Sequence, residues 1–208
     1  MRLSVVRTDG QRGAVFPLET GEVLCGRADG AAVLLAGDAT VSPRHARFTR
    51  AGETLRVEDA GSVNGTFVRI RAPRPLAAGE ELRVGRQLLR LEPVPRPEGG
   101  AGEVLTWGGP DPGARLRLAQ LLEGGGRGEV FPLHEGENAI GREGGEVTFP
   151  ADRYVSARHA RVDVSASGAA TLVDVGSSNG TFVRISCPVE LAAGDELLVG
   201  GQLLRVER

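Results

Sequence analysis

Gly26-Arg27, Ser42-Pro43-Arg44-His45 and Asn64-Gly65-Thr66-Phe67-Val68 return further along the chain as Gly141-Arg142, Ser156-Ala157-Arg158-His159 and Asn179-Gly180-Thr181-Phe182-Val183. Outward from these, Val15-Phe16-Pro17-Leu18 matches Val130-Phe131-Pro132-Leu133, and Leu76-Ala77-Ala78-Gly79 matches Leu191-Ala192-Ala193-Gly194, both 115 residues on. At Ser156 the offset is 114, and it is restored by Asn179, so one residue is lost from one loop and regained in another. Self-similarity over so long a period denotes two copies of a domain, not a solenoid. The 208 residues leave roughly 90 to 95 per copy, near the small end of what buries an adequate core.

Within each copy, short apolar or alternating runs are separated by turn residues, and no stretch keeps a helical period for three turns. This predicts an all-β fold, a sandwich or barrel with Val, Leu, Ile and Phe facing inward at alternate positions. In the second copy the predicted strands are 115–122, 128–133, 137–142, 159–165, 170–175, 180–185, 195–199 and 202–207, broken by such turns as Asn179-Gly180 and Gly200-Gly201. The copies are expected as domains at 1–93 and 115–208, joined by a Pro/Gly-rich linker, 94–114. Trp107 lies in that linker within Val104-Leu105-Thr106-Trp107. The segment is expected either to pack on one domain as an extra edge or to dock the two domains together.

All 25 basic residues are arginine. Without a lysine amine, a Walker-type phosphate loop and a Schiff-base enzyme are both excluded. The two cysteines, Cys25 and Cys187, fall at unrelated positions of the repeat, which suits free thiols in a reducing compartment. They and the three histidines show no metal-ligand spacing, so neither metal nor cofactor is expected. The start of the chain is too short in apolar length for a signal peptide, and no run is long enough for a membrane helix, so a cytoplasmic protein without membrane contact is expected. The net charge of -2 conceals +3 over residues 1–93 (14 Arg, 11 Asp and Glu) and -3 over 115–208 (10 and 13). Neither half is basic enough to point to nucleic acid.

The Gly-Arg, Ser-x-x-His and Asn-Gly elements, in that order in both copies, resemble those of forkhead-associated (FHA) domains, and the resemblance covers everything but the linker. It implies two tandem β-sandwiches of about eleven strands each, whose loops at one end bind a phosphothreonine peptide. The chemistry of the residues agrees. A phosphothreonine carries about -1.5 to -2 charges and three acceptor oxygens, so its reader needs clustered donors on loops. Arg27 and Arg142 offer a planar fork that never deprotonates. Ser42 and Ser156 resemble the family's phosphate-contacting serine, and Asn64 and Asn179 the asparagine that bonds the peptide main chain. The resemblance makes Gly26, His45, Gly65, Gly141, His159 and Gly180 supports of the binding loops. Ser and His three residues apart also suggest a nucleophile and base, but no orienting group or oxyanion hole accompanies them, and an enzyme is not expected.

The copies depart from the family pattern differently. Where the family often has a hydroxyl before the asparagine, the first copy has Val63 and the second Ser178; after the serine stand Pro43 and Ala157, with Arg44 and Arg158 one place on as substitute donors. A hydrogen bond to a charged group contributes about 1.5–3 kcal/mol, so the second site is expected to bind more tightly, by about tenfold or more. The resulting expectation is an adaptor that reads bacterial-type Ser/Thr kinase signalling, its partners phosphothreonine proteins such as a kinase or its substrate. A linker of about 20 residues would span about 25 Å if flexible, enough to engage a doubly phosphorylated partner. Two alternatives remain: a phospho-independent dimerisation or scaffold module, favoured in the first copy by Val63, and self-regulation through a phosphorylated Thr106.

Overall fold

The computed structural model of the chain describes residues 1–95, 108–109 and 113–208. The expectations for Trp107 and Thr106 lie outside the described residues. Among the described residues, twenty strands and one 3-10 turn, Glu123–Gly125, make up the regular structure, ten strands to a repeat against about eleven expected. The fold is all-β. In chain order come β1 (Arg2–Val6), β2 (Arg12–Pro17), β3 (Gly21–Gly26), β4 (Val33–Leu34), β5 (Ala46–Ala51), β6 (Thr54–Asp59) and β7 (Thr66–Arg69). There follow β8 (Arg74–Leu76), β9 (Glu81–Val84), β10 (Gln87–Pro93), β11 (Leu116–Leu121), β12 (Arg127–Leu133), β13 (Gly136–Gly141), β14 (Val147–Thr148), β15 (Ala160–Val164) and β16 (Ala170–Asp174). The last are β17 (Thr181–Arg184), β18 (Val189–Leu191), β19 (Glu196–Val199) and β20 (Gln202–Glu207).

The two compact units of the chain are not the two repeats. One unit is Met1–Arg69 together with Phe182–Arg208; the other is Ile70–Thr181. Residues 1–93 and 115–208 therefore delimit copies of sequence, while each copy contributes strands to both units. The last three strands of the first repeat, β8 to β10, complete the unit that holds the early strands of the second, and β18 to β20 do the converse.

In the first unit one layer is the sheet β18-β6-β5-β3-β4, and the other runs β17-β7-β19-β20-β1-β2. Alternation decides which side chains enter the core: Val23 and Cys25 on β3 and Ala46 and Phe48 on β5 are buried, while Leu24 and Arg47 between them are only half-buried and the neighbouring Glu22 and Thr49 are exposed. The exchanged strands are in register with their hosts, Leu191 opposite Leu55, Val206 opposite Leu3 and Leu198 opposite Phe67. They carry Leu191, Leu197, Val199, Leu204 and Val206 into the same core as Leu3, Val23, Phe48, Leu55 and Val57. Each such side chain contributes about 1.5–3 kcal/mol when fully buried. A buried carboxylate ties three strands together: Glu196 on β19 receives Arg69 of β7 at 2.7 Å and Arg205 of β20 at 2.6 Å. Burial would raise this carboxyl, but the bonds and charges of the two guanidiniums hold it below the ordinary value.

The second unit repeats the plan. Its sheet β14-β13-β15-β16-β8 faces β12-β11-β10-β9, with Leu76 opposite Ala170 and Leu91 opposite Leu118. Leu76, Leu82, Val84, Leu89 and Leu91 from the first repeat are buried, as are Leu118, Ile140, Val162 and Leu172 from the second. The regained residue of the repeat lies in the turn between β15 and β16, which takes residues 165–169 where β5 and β6 are joined by Gly52 and Glu53 alone. Both cysteines are free; burial pushes the Cys25 thiol up to about 12, while Cys187 is exposed. No helix among the described residues is long and apolar enough to cross a membrane.

Candidate functional site

The Gly-Arg element ends β3 in one unit and β13 in the other. A Cβ on Gly26 would lie 2.1 Å from the Pro43 carbonyl oxygen, and one on Gly141 2.2 Å from that of Ala157, so the Ser-x-Arg-His loop can cross here only over glycine. The next amide pins the crossing: Arg27 N donates to Ser42 O at 3.1 Å, and Arg142 N to Ser156 O at 2.9 Å. Each arginine is thereby anchored through its backbone beside the serine.

His45 and His159 are fully buried and join this loop to the Asn-Gly turn. Ser42 N donates to His45 Nδ1 at 2.9 Å, so the ring proton sits on Nε2, which donates to Gly65 O at 3.1 Å. His159 makes the same bridge, receiving Ser156 N at 3.0 Å and donating to Gly180 O at 3.1 Å. Both ring nitrogens are occupied by backbone, so neither histidine is set to take a proton from the serine three residues before it. The serine hydroxyls instead accept from the Asn-Gly loop, Ser42 Oγ from Val63 N at 3.0 Å and Ser156 Oγ from Ser178 N at 3.1 Å. The O–H of each remains for a further acceptor. Asn64 Nδ2 donates to Thr40 O at 2.7 Å and Asn179 Nδ2 to Tyr154 O at 2.8 Å, closing a ring of bonds among the same loops. Arginine, serine and asparagine are thus gathered at one end of each unit.

Two further pairs of residues build the site and were missed in the sequence. Asp59 accepts from Gly61 N, Ser62 N, Ser62 Oγ and Thr66 Oγ1, and Asp174 from Gly176 N, Ser177 N, Ser177 Oγ and Thr181 Oγ1. The same serines accept from Gly65 N and Gly180 N, so one carboxylate organises each Asn-Gly loop. Burial would raise both carboxyls; the hydrogen bonds from serine, threonine and glycine hold both below the ordinary value. The signal was present, since Asp-x-Gly-Ser-x-Asn-Gly-Thr occurs in both copies. The second pair joins each site to the exchanged hairpin. Asp38 accepts from Gly201 N at 3.1 Å, Gln202 Nε2 at 2.8 Å and Thr40 N at 2.8 Å; Asp152 accepts from Arg86 N at 2.8 Å, Gln87 Nε2 at 2.8 Å and Tyr154 N at 2.9 Å. Every site therefore has a wall made by the other repeat.

The sites differ in detail. Val63 is 85% exposed, an apolar side chain standing where Ser178 presents a hydroxyl. Arg27, Arg44 and Arg158 are exposed and make no ion pair with a described carboxylate, whereas Arg142 Nη2 lies 3.0 Å from Glu143 Oε1. Thr40 of the first unit is replaced by Tyr154 in the second, whose ring lies 4.7 Å from the Arg86 guanidinium carbon and 5.0 Å from that of Arg153. The hydrogen bond from Arg153, and then its charge, lower the Tyr154 phenol from its ordinary value.

An all-β module that holds cationic, hydroxyl and amide donors on buttressed loops at one end has the chemistry to meet an anionic, hydrogen-bonding ligand. A model of the FHA domain matches residues 23–85 and 138–200, and the chain belongs to that family. It is 38% identical over 87 residues to the oxoglutarate dehydrogenase inhibitor of Corynebacterium jeikeium (strain K411), an alignment covering 40% of this chain and 59% of that protein. It is 35% identical over 95 residues to the FHA domain-containing protein FhaB of Mycobacterium tuberculosis (strain ATCC 25618 / H37Rv), covering 44% and 61%. The chain thus spans about three-fifths of the length of these relatives. A solved structure from a structural and functional analysis of phosphothreonine-dependent FHA domain interactions is 28% identical, covering 46% of this chain and 97% of that one, with a TM-score of 0.29.

Proposed function

We propose that this chain is a phosphothreonine-peptide-binding adaptor with two sites, and that the second is the tighter. The observation that carries the reading is the gathering, in each unit, of an anchored arginine, a serine whose O–H is left over for an acceptor, and a half-used asparagine amide. Arg27, Ser42 and Arg44 in one unit, and Arg142, Ser156, Arg158 and Ser178 in the other, supply donors to the phosphate oxygens. Asn64 and Asn179 keep a carbonyl oxygen and a second N–H for the peptide backbone. His45 and His159 keep the two halves of each site together. Such a protein recruits partners marked by a Ser/Thr kinase, either the kinase or its substrate, and performs no chemistry on them. Calorimetric titration of the whole chain with phosphothreonine peptides tests this: binding that disappears with the unphosphorylated peptide supports it, and no binding to any phosphothreonine peptide by a folded chain overturns it.

The exposed Val63 favours a second reading for the first unit alone, a contact surface that needs no phosphate. Partner capture through this unit that survives Arg27→Ala would support that reading.

A further inference from the structure

In the second unit the loop before Ser156 borders a groove of about 770 Å³. Its lining includes Phe149 and Pro150 from that loop, together with Tyr154, Arg153, Asp152 and, from the other repeat, Arg86. The groove adjoins the site described above: Tyr154, two residues before Ser156, lines it and is the residue whose carbonyl Asn179 holds. Asp152 is buried, and its carboxylate already accepts three hydrogen bonds. Glu129 lines the groove from β12 and is exposed. Arg86 and Arg153 are also exposed and lie against the Tyr154 ring, Arg153 Nη2 donating to its hydroxyl at 3.1 Å. Neither is within ion-pair distance of a described carboxylate, although, where burial would raise the Asp152 carboxyl, its hydrogen bonds and the charge of Arg86 hold it below its ordinary value. Two guanidiniums against the Tyr154 ring, with Pro150 beside them, fit an anionic side chain that has an aliphatic stem.

The first unit lacks the guanidiniums and the rings of this arrangement. At the positions of Arg86, Arg153 and Tyr154 it carries Gly201, Ala39 and Thr40, and at those of Phe149 and Pro150 it carries Leu35 and Ala36. The aspartate clasp on the exchanged turn is common to both units, so the difference lies in the wall and not in how the wall is attached.

We infer that the groove selects phosphothreonine peptides bearing an acidic side chain near the phosphothreonine, and that Arg86, contributed by the first repeat, is a specificity-determining residue of the site formed by Arg142, Ser156 and Asn179 in the second. The inference rests on the phosphothreonine reading. It means that the sequence preference of one repeat is written partly in the other, and that the first unit does not share it.

The test uses the whole chain with Arg27→Ala, so that the second unit's site is read alone, and phosphothreonine peptides in which one flanking position at a time is Asp, Ala or Arg. At one flanking position or more, Asp is expected to bind about tenfold more tightly than Ala, the equivalent of one charge-assisted hydrogen bond. Arg86→Gly, the residue found at the corresponding place in the first unit, is expected to bring that ratio towards one, with Arg86→Glu reversing the preference towards Arg. Circular dichroism and thermal melting report whether each variant is folded. Binding without any preference for Asp, or a preference that survives Arg86→Gly combined with Arg153→Ala, overturns the inference and leaves the phosphothreonine reading standing. Failure of every phosphothreonine peptide to bind overturns both.

Discussion

The two loop clusters that carry the repeated motif share their buried hydrogen-bonded scaffolding and differ mainly at their exposed surface. Asp59 and Asp174, His45 and His159, and Gly26 and Gly141 make the same contacts in both units. Val63 against Ser178, Ala39 against Arg153, and Gly201 against Arg86 are among the changes, and these six residues are exposed. Buried hydrogen-bonded groups tolerate little substitution, because a lost partner leaves a desolvated polar atom behind. Exposed loop residues carry no such penalty and can diverge in what they recognise. The comparison therefore separates what holds an FHA end together from what gives it an affinity and a preference.

The largest expected effect tests where the scaffold comes from. Leu204→Ala removes a fully buried side chain of the second repeat from the core of the first unit and should cost about 2–5 kcal/mol. Hydrogen exchange should then show lost protection in β3, β5 and β6, with β13, β15 and β16 retaining theirs. Lost protection in β13, β15 and β16 instead would mean that the repeats fold as separate units. Next in size is the loop carboxylate. Asp174→Ala should cost about 2–3 kcal/mol and loosen the second site, and Asp59→Ala should do the same in the first, as read by chemical denaturation and peptide titration. Both carboxyls are depressed in the folded chain. Their stabilisation is fully present above the unfolded value of about 3.9 and is lost as pH falls through the lower folded value. Peptide-free stability followed by circular dichroism should therefore hold at neutral pH and fall below about pH 4, in both units together. An earlier acid transition in one unit would break the equivalence.

Smaller changes sharpen the asymmetry of the surfaces. Val63→Ser should tighten the first site about tenfold, and Ser178→Val should weaken the second by a similar factor, since one charge-assisted hydrogen bond is exchanged in each case. Glu143→Ala should have the smallest effect, a gain of no more than about fivefold at the second site. It frees Arg142 from an exposed ion pair worth about 0–1 kcal/mol.

Much of this was legible in the sequence, and the part that was not has a physical reason. Eight predicted strands of the second repeat match observed ones closely, but β14 and β18, of two and three residues, are too short for any period to register. The exchange was not legible. Leu82, Val84 and Leu89 on one exchanged hairpin correspond to Leu197, Val199 and Leu204 on the other, so either hairpin offers the same apolar pattern to either host. A duplicated pattern specifies a mating surface without specifying which copy mates. The candidate site was legible because its residues stand in the same order in both copies. Asp38 and Asp152 escaped notice because a lone aspartate in a loop has no pattern until the turn it clasps is known.

The central claim is that the chain has two phosphothreonine sites of unequal strength, and calorimetry on the whole chain tests it most directly. A single phosphothreonine peptide should give two binding events. Arg142→Ala should abolish the tighter and Arg27→Ala the weaker, each leaving the other in place. One event that survives both substitutions, or a tighter event that is lost with Arg27→Ala, would contradict it.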